Sequence, residues 1–241
     1  MNEICFYRDG DIIDKRFINI EKMEWKDIKA NKIFSALINF DNINVSEMKI
    51  QIRFLLKLKK KAIAKKYTIG INGIIFYIVN YDKDNKKQKE YIWALEAILK
   101  NDDREMYTYI YDKVCESLDD EFYGKNLCNF KNNKCGEKIN TKSEIGCCRH
   151  YKNKFFGPYL VNNKFVQCEY LINSRCNIKC LPCKLYTCDY LERKGIKFKI
   201  KNFFLLDTFF NLLQKYTLKT KVYTPEEKII NTLLEERFKF D

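Results

Sequence analysis

One histidine, His150, serves the whole 241-residue chain, and only eight of its 45 basic residues are arginine. A lone imidazole and the absence of any defensible carboxylate pairing give no Ser-His-Asp or two-carboxylate constellation on which to build hydrolytic chemistry. The eight glycines form no phosphate-binding loop. Nowhere do eighteen apolar residues run together, so no transmembrane helix is expected. The first residues, Met1-Asn2-Glu3-Ile4-Cys5-Phe6-Tyr7-Arg8-Asp9, carry neither a signal-peptide apolar core nor a small-residue cleavage site. A cytoplasmic location is the expectation, and there thiols are kept reduced. The sequence has no internal repeat and no low-complexity linker.

Cysteine is the residue in excess. There are eleven, and nine fall between Cys128 and Cys188: Cys128, Cys135, Cys147, Cys148, Cys168, Cys176, Cys180, Cys183 and Cys188. His150 follows the Cys147-Cys148 doublet by two positions. Thiols gathered in this way bind metal or form disulfides, and a reducing compartment favours metal. A secreted disulfide protein is the competing reading. Zinc takes four soft ligands in a tetrahedron, and a short loop such as Cys180-Leu181-Pro182-Cys183 supplies two of them. Nine Cys and one His suffice for two such sites, whereas one cubane iron–sulfur cluster needs about four thiolates. The candidate ligands are therefore Cys128, Cys135, Cys147, Cys148, His150, Cys168, Cys176, Cys180, Cys183 and Cys188. Cys5 and Cys115 stand apart and read as small apolar residues.

Charge follows the cysteines. The net charge is +13. Residues 122–201 hold 17 Lys and Arg against 5 Asp and Glu, which leaves close to neutrality elsewhere. One reading is a basic face for nucleic acid or an acidic protein partner. The other is compensation: two Zn²⁺ ions among eight thiolates leave about −4, which nearby lysines offset while lowering the thiol pKa values.

The flanks suggest an α+β fold in three parts. Residues 1–120 form an N-terminal α+β region. Within it, hairpins turn at Asp9-Gly10 and Asn72-Gly73, and helical segments are expected over 20–38, 46–65, 87–100 and 103–118. Ser46 is the expected cap of the second of these. Residues 121–190 lose helical periodicity and are divided by glycines, as befits a loop-rich module organised by metal. Residues 191–241 are helical. Asn202 to Lys215 is one strongly apolar helix, and Thr224-Pro225-Glu226-Glu227 opens another, with Thr224 as N-cap and Glu227 completing a capping box.

The order of the module's residues resembles the zinc- or iron-chelating cysteine-cluster family of the CxxCxxCC type. The matching residues are the Cys147-Cys148 doublet, Cys168-Glu169-Tyr170-Leu171, Cys176-Asn177-Ile178 and Cys183-Lys184-Leu185-Tyr186-Thr187-Cys188. The resemblance covers only residues 128–188 and implies metal chelation. It departs at the front, where Cys128, Cys135 and Cys147 are widely spaced, and Cys180 and His150 are extra. Cys176-x-x-x-Cys180-x-x-Cys183 also looks like the cluster triad of radical S-adenosylmethionine enzymes. Pro182 replaces that motif's aromatic residue, other thiols crowd it, and only 58 residues follow Cys183. The sequence thus points to a zinc-binding protein whose cysteine module is structural and offers a basic surface. An iron–sulfur redox protein or radical-type enzyme using Cys176, Cys180 and Cys183 is the alternative.

Overall fold

The run Gly73-Ile74-Ile75-Phe76-Tyr77-Ile78-Val79 is apolar on both faces, as a strand buried within a sheet requires. In the computed structural model it does lie inside a sheet. The structure describes residues 2–8, 11–17, 33–42, 44–64, 73–128, 130–131, 134–135, 149–151, 154–156, 159–161, 165–167, 170–173, 175–177 and 179–237. Helices and strands are both present, as the α+β expectation requires. Two compact units form, residues 1–106 and 107–241.

The first unit is built on a four-stranded sheet of β1 (Asn2–Arg8), β2 (Asp11–Phe17), β3 (Ile33–Asn39) and β4 (Gly73–Val79), in the order β2-β1-β4-β3. β1 pairs antiparallel with β2 through an irregular register. β4 runs parallel to β1, from Asn2↔Ile74 to Tyr7↔Val79, and parallel to β3, from Ile33↔Gly73 to Asn39↔Val79. The antiparallel β1–β2 pair flanks Asp9-Gly10 as expected, but the second expected hairpin is corrected. Both edges of β4 are taken by parallel neighbours, which leaves no edge for an antiparallel partner turning at Asn72-Gly73. The preceding residues, 65–72, lie outside those described. The helical expectation over 20–38 is also corrected at its end. Residues 18–32 lie outside those described, but Ile33-Phe34-Ser35-Ala36-Leu37-Ile38 is strand. Its apolar residues serve a strand with parallel pairing better than one helical stripe.

Parallel neighbours need a crossover, and helix α1 (Val45–Ala64) lies between β3 and β4 in the chain. Its cap is Asn44 rather than Ser46. Asn44 Oδ1 accepts from the backbone N–H groups of Ser46 (2.9 Å) and Glu47 (3.1 Å), and Glu47 Oε2 accepts from Asn44 N at 2.8 Å. That is a reciprocal box two residues earlier than expected. α2 (Lys86–Ile98) is capped by Asn85 and buries Tyr91, Leu95 and Ile98. Tyr91 donates to Gln51 Oε1 at 2.6 Å and meets Phe40 edge-on, with ring centroids 5.8 Å apart. The core of this unit is Ile38, Ile52, Ile78, Tyr91 and Leu95.

α3 (Asp103–Gly124) outruns its expected length and contains the boundary between the units. Its stripe of Tyr107, Ile110, Tyr111, Val114, Leu118 and Phe122 is buried, at the spacing of one helix face. Beyond it, the described residues between 125 and 180 form two- and three-residue strands: β5 (Phe130–Lys131) with β6 (Lys134–Cys135), β7 (Arg149–Tyr151) with β10 (Phe165–Gln167), β8 (Lys154–Phe156) with β9 (Tyr159–Val161), and β11 (Leu171–Ile172) with β12 (Arg175–Cys176). Short helices α4 (Leu181–Leu185) and α5 (Asp189–Arg193) follow.

The apolar C-terminal stretch is two helices, α6 (Phe204–Phe209) and α7 (Leu212–Thr220), where one was expected. Asn211 breaks the run. It leaves helical geometry to cap α7, accepting from Gln214 N at 2.9 Å while its own N–H donates to Gln214 Oε1 at 2.9 Å. α8 (Glu226–Arg237) closes the unit and buries Ile229, Ile230 and Leu233. Among the described residues no helix is long and apolar enough to cross a membrane.

Gln214 joins these helices. Only 1% of it is exposed, and its Nε2 donates to Leu233 O (2.6 Å) and Tyr107 Oη (3.1 Å). Replacing it removes both of these buried bonds and the side-chain half of the α7 capping box. Gln214→Ala is expected to lower the stability of this unit by about 2–3 kcal/mol, read from urea unfolding followed by circular dichroism.

Candidate metal centre

Cys180 and Cys183 meet at the start of α4. Cys180 is extended (φ −114°, ψ 97°) and takes the N-cap position, with Pro182 in the first turn, where its missing N–H costs nothing. Three residues on, Cys183 lies on the same helical face, so the two sulfurs are neighbours within hydrogen-bonding reach. Both are buried, Cys180 completely and Cys183 to all but 3%.

The second wall of the site comes from the turn between α7 and α8. Tyr223 N–H donates to Cys183 Sγ at 3.0 Å. The backbone N–H groups of Cys183, Tyr223 and Thr224 all favour the ionised form of Cys180. To aim its N–H inward, Tyr223 adopts φ +55°, a left-handed conformation that costs an L-residue about 1–2 kcal/mol. The Thr224 hydroxyl donates to Val222 O at 3.2 Å. The expected capping role of Thr224 is therefore corrected: its N–H serves a sulfur, its hydroxyl is spent on the turn, and α8 begins at Glu226 with Pro225 O accepting its first bonds.

A third support is Tyr111 of α3. Its hydroxyl accepts from Leu181 N at 2.7 Å and donates to Lys179 O at 3.0 Å, so one phenol grips the chain on both sides of Cys180. Burial pushes the ionisation of Tyr111 far up, which keeps the hydroxyl neutral and able to do both. Ion pairs tie the same segment to α3. Lys179 Nζ lies 2.9 Å from Asp112 Oδ1, and the almost fully buried Lys184 pairs with Asp119. The lysines that flank the thiols are thus engaged by carboxylates.

These surroundings decide the charge on sulfur. The hydrogen bond from Cys183, helped by the backbone donors and opposed by burial, brings the Cys180 thiol down to about 7. Cys115, four residues after Tyr111, shows the opposite. Burial pushes its thiol well above the ordinary range, so it keeps its proton. The pair is thus one sulfur that ionises near neutrality beside a thiol that donates to it, and tetrahedral zinc takes soft ligands of this type only once both have given up their protons.

The remaining candidates are placed as follows. Cys188 is the N-cap of α5 and half-buried. Cys128 is half-buried in the turn after α3. Cys135 pairs with Phe130 in β6, His150 with Val166 in β7, and Cys176 with Leu171 in β12. Cys147, Cys148 and Cys168 lie outside the described residues. Among the described residues no group of three or more Cys, His, Asp or Glu side chains converges on a point, so the structure brings together one pair of the ten. The sequence did not signal Tyr111, Tyr223 or Thr224, because these partners lie roughly 40–70 residues from Cys180 and two of them act through the backbone. No family model matches the chain, and no curated protein or solved structure is significantly similar to it.

Because the Cys180 thiol is lowered on folding, the folded chain releases its proton at a pH where the unfolded chain still holds it. Stability of the metal-free protein is therefore expected to rise between about pH 7 and 9. Above that window the proton-keeping Cys115 works in the opposite direction. Guanidinium unfolding at stepped pH measures this rise, and Cys180→Ser is expected to flatten it. Tyr111→Phe removes both grips on the loop and is expected to cost about 1–3 kcal/mol in the same assay.

Proposed function

We propose that the protein is a cytosolic metal-binding protein, with zinc as its ion. In this reading the cysteine module is structural and presents a basic surface to a nucleic-acid or protein partner. One observation carries it: Cys180 is completely buried, yet the neighbouring Cys183 thiol and the backbone N–H groups of Cys183, Tyr223 and Thr224 favour its ionised form. Neutral thiols are weak acceptors and do not need such donors. Buried thiolates do need them, and they need a cation as well. The adjacent lysines are taken by Asp112 and Asp119, so a bound ion is the natural counter-charge. The other two ligands of this site come from the remaining Cys128–Cys188 set, and a second ion accounts for the rest.

The described strands between residues 125 and 180 are two or three residues long, too short to be stable by themselves. Structural zinc, at about 10–16 kcal/mol of apparent binding free energy in small fingers, makes up that deficit. Proton release is part of the binding, and a thiol already lowered to about 7 gives up its proton readily near neutrality.

Elemental analysis of protein purified under reducing, anaerobic conditions tests the reading. The expected result is a colourless protein with about two equivalents of zinc. Cys180→Ser, Cys183→Ser and Cys148→Ser each lower that content, whereas Cys115→Ser leaves it unchanged. A brown protein with broad visible absorption belongs to the iron–sulfur alternative built on Cys176, Cys180 and Cys183. Metal-free wild-type protein, or metal lost on changing Cys115 but not Cys183, contradicts the proposal.

A further inference from the structure

Between α5 and α6 the chain makes a second use of charge. α5 ends at Gly195, whose φ of +75° is natural for glycine, with Ile196 N–H returning to Leu191 O at 2.9 Å. Residues 196–199 follow without helix or strand, Lys199 is extended (φ −107°, ψ 137°), and Ile200–Asn202 then closes into a 3-10 turn. Across it the exposure alternates. Arg193, Lys194, Lys197, Lys199 and Lys201 are exposed, Ile196 and Phe198 are half-buried, and Ile200 is buried. Phe198 is held inward between Phe122 and Phe203, with ring centroids 5.2 and 6.4 Å away. Beside this inward aromatic, Lys197, Lys199 and Lys201 are exposed at alternate positions. The acid beside them, Glu192, is held 2.6 Å from Lys197. Among the described residues, Arg193, Lys199 and Lys201 make no ion pair of their own.

We propose that Arg193–Lys201 is a docking strip for the phosphodiester backbone of a nucleic acid. The proposal rests on the reading of the module as the bearer of a basic surface, not on which ion it holds. Three classes of polyanion compete for such a strip, and its composition discriminates among them. A protein partner would bury an apolar centre within the interface, but the apolar side chains here are turned inward. An anionic membrane attracts the same lysines, but firm attachment adds apolar residues on the exposed face, which half-buried Ile196 and Phe198 and buried Ile200 do not supply. A nucleic-acid backbone requires only regularly spaced cations, with Arg193 able to grip one phosphate through two N–H groups.

The test is the salt dependence of binding, measured with the full chain and a fluorescent 20-nucleotide single strand. The variant is Arg193→Gln/Lys199→Gln/Lys201→Gln. All three residues are exposed, and an unchanged thermal unfolding curve checks that the fold survives. Each lost contact with a single strand reduces the slope of log K against log [salt] by about 0.7. The variant's slope is therefore expected to be shallower by about 2, so that raising salt from 50 to 200 mM weakens it about 20-fold less than it weakens the wild type. Equal slopes, no wild-type binding at 50 mM salt, equal competition by polyglutamate, or tighter binding to phosphatidylserine vesicles would each overturn the strip. Zinc content of the same samples separates the two readings. Zinc present without oligonucleotide binding sinks the strip alone, and salt-sensitive binding by zinc-free protein sinks the ion alone.

Discussion

Buried Cys180 meets the Cys183 thiol and three backbone N–H groups as well as the Lys221 carbonyl 3.9 Å away, and this sulfur pair links α3, α4 and the α7–α8 turn. Desolvation opposes a bare thiolate. Two features of the chain act against it, the S–H of Cys183 and the backbone N–H groups of Cys183, Tyr223 and Thr224, while the clamp of Tyr111 holds the loop that carries Cys180. The left-handed conformation of Tyr223 fits the same account. A bulky residue is held in a disfavoured region at the one place where its N–H must point inward to Cys183. The thiol pair is thus supported by segments that are distant in sequence, α3 before it and the α7–α8 turn after it.

Much of this was legible in the residues, and the limits have physical causes. α1, α2 and α3 follow from their 3.6-residue periodicity, although α1 starts from Asn44, whose side chain completes a box with Glu47 that outcompetes Ser46. Asn72-Gly73 carries a strong local turn signal, but sheet order is set by non-local pairing, and β4 lies between two parallel neighbours. Asn211 reads as one polar residue in an apolar run until Gln214 reaches back to it. At the candidate centre, the Cys-x-x-Cys spacing marked Cys180 and Cys183 correctly as neighbours. Their N–H donors were invisible because backbone groups carry no residue identity and the donating turn lies about 40 residues downstream.

Charge and sulfur are linked along the chain. Residues 122–201 carry nearly the whole positive excess, and two kinds of basic residue can be distinguished within it. Lys179 and Lys184 pair with acids of α3 and fasten the thiol loop. Arg193, Lys199 and Lys201 lie at the surface on a stretch whose apolar side faces the core. Lysines of the first kind serve the fold, and those of the second kind are available to a partner. A count of charges cannot separate the two, but burial and pairing can.

The central claim is that the buried thiol pair is half of an ion's coordination shell. X-ray absorption at the zinc edge, on the full chain purified under reducing conditions, tests it most directly. The account predicts a first shell dominated by sulfur at about 2.3 Å, with sulfur lost from that shell in Cys183→Ser. A shell made only of oxygen and nitrogen near 2.0–2.1 Å, or one that Cys183→Ser leaves unaltered, would contradict it.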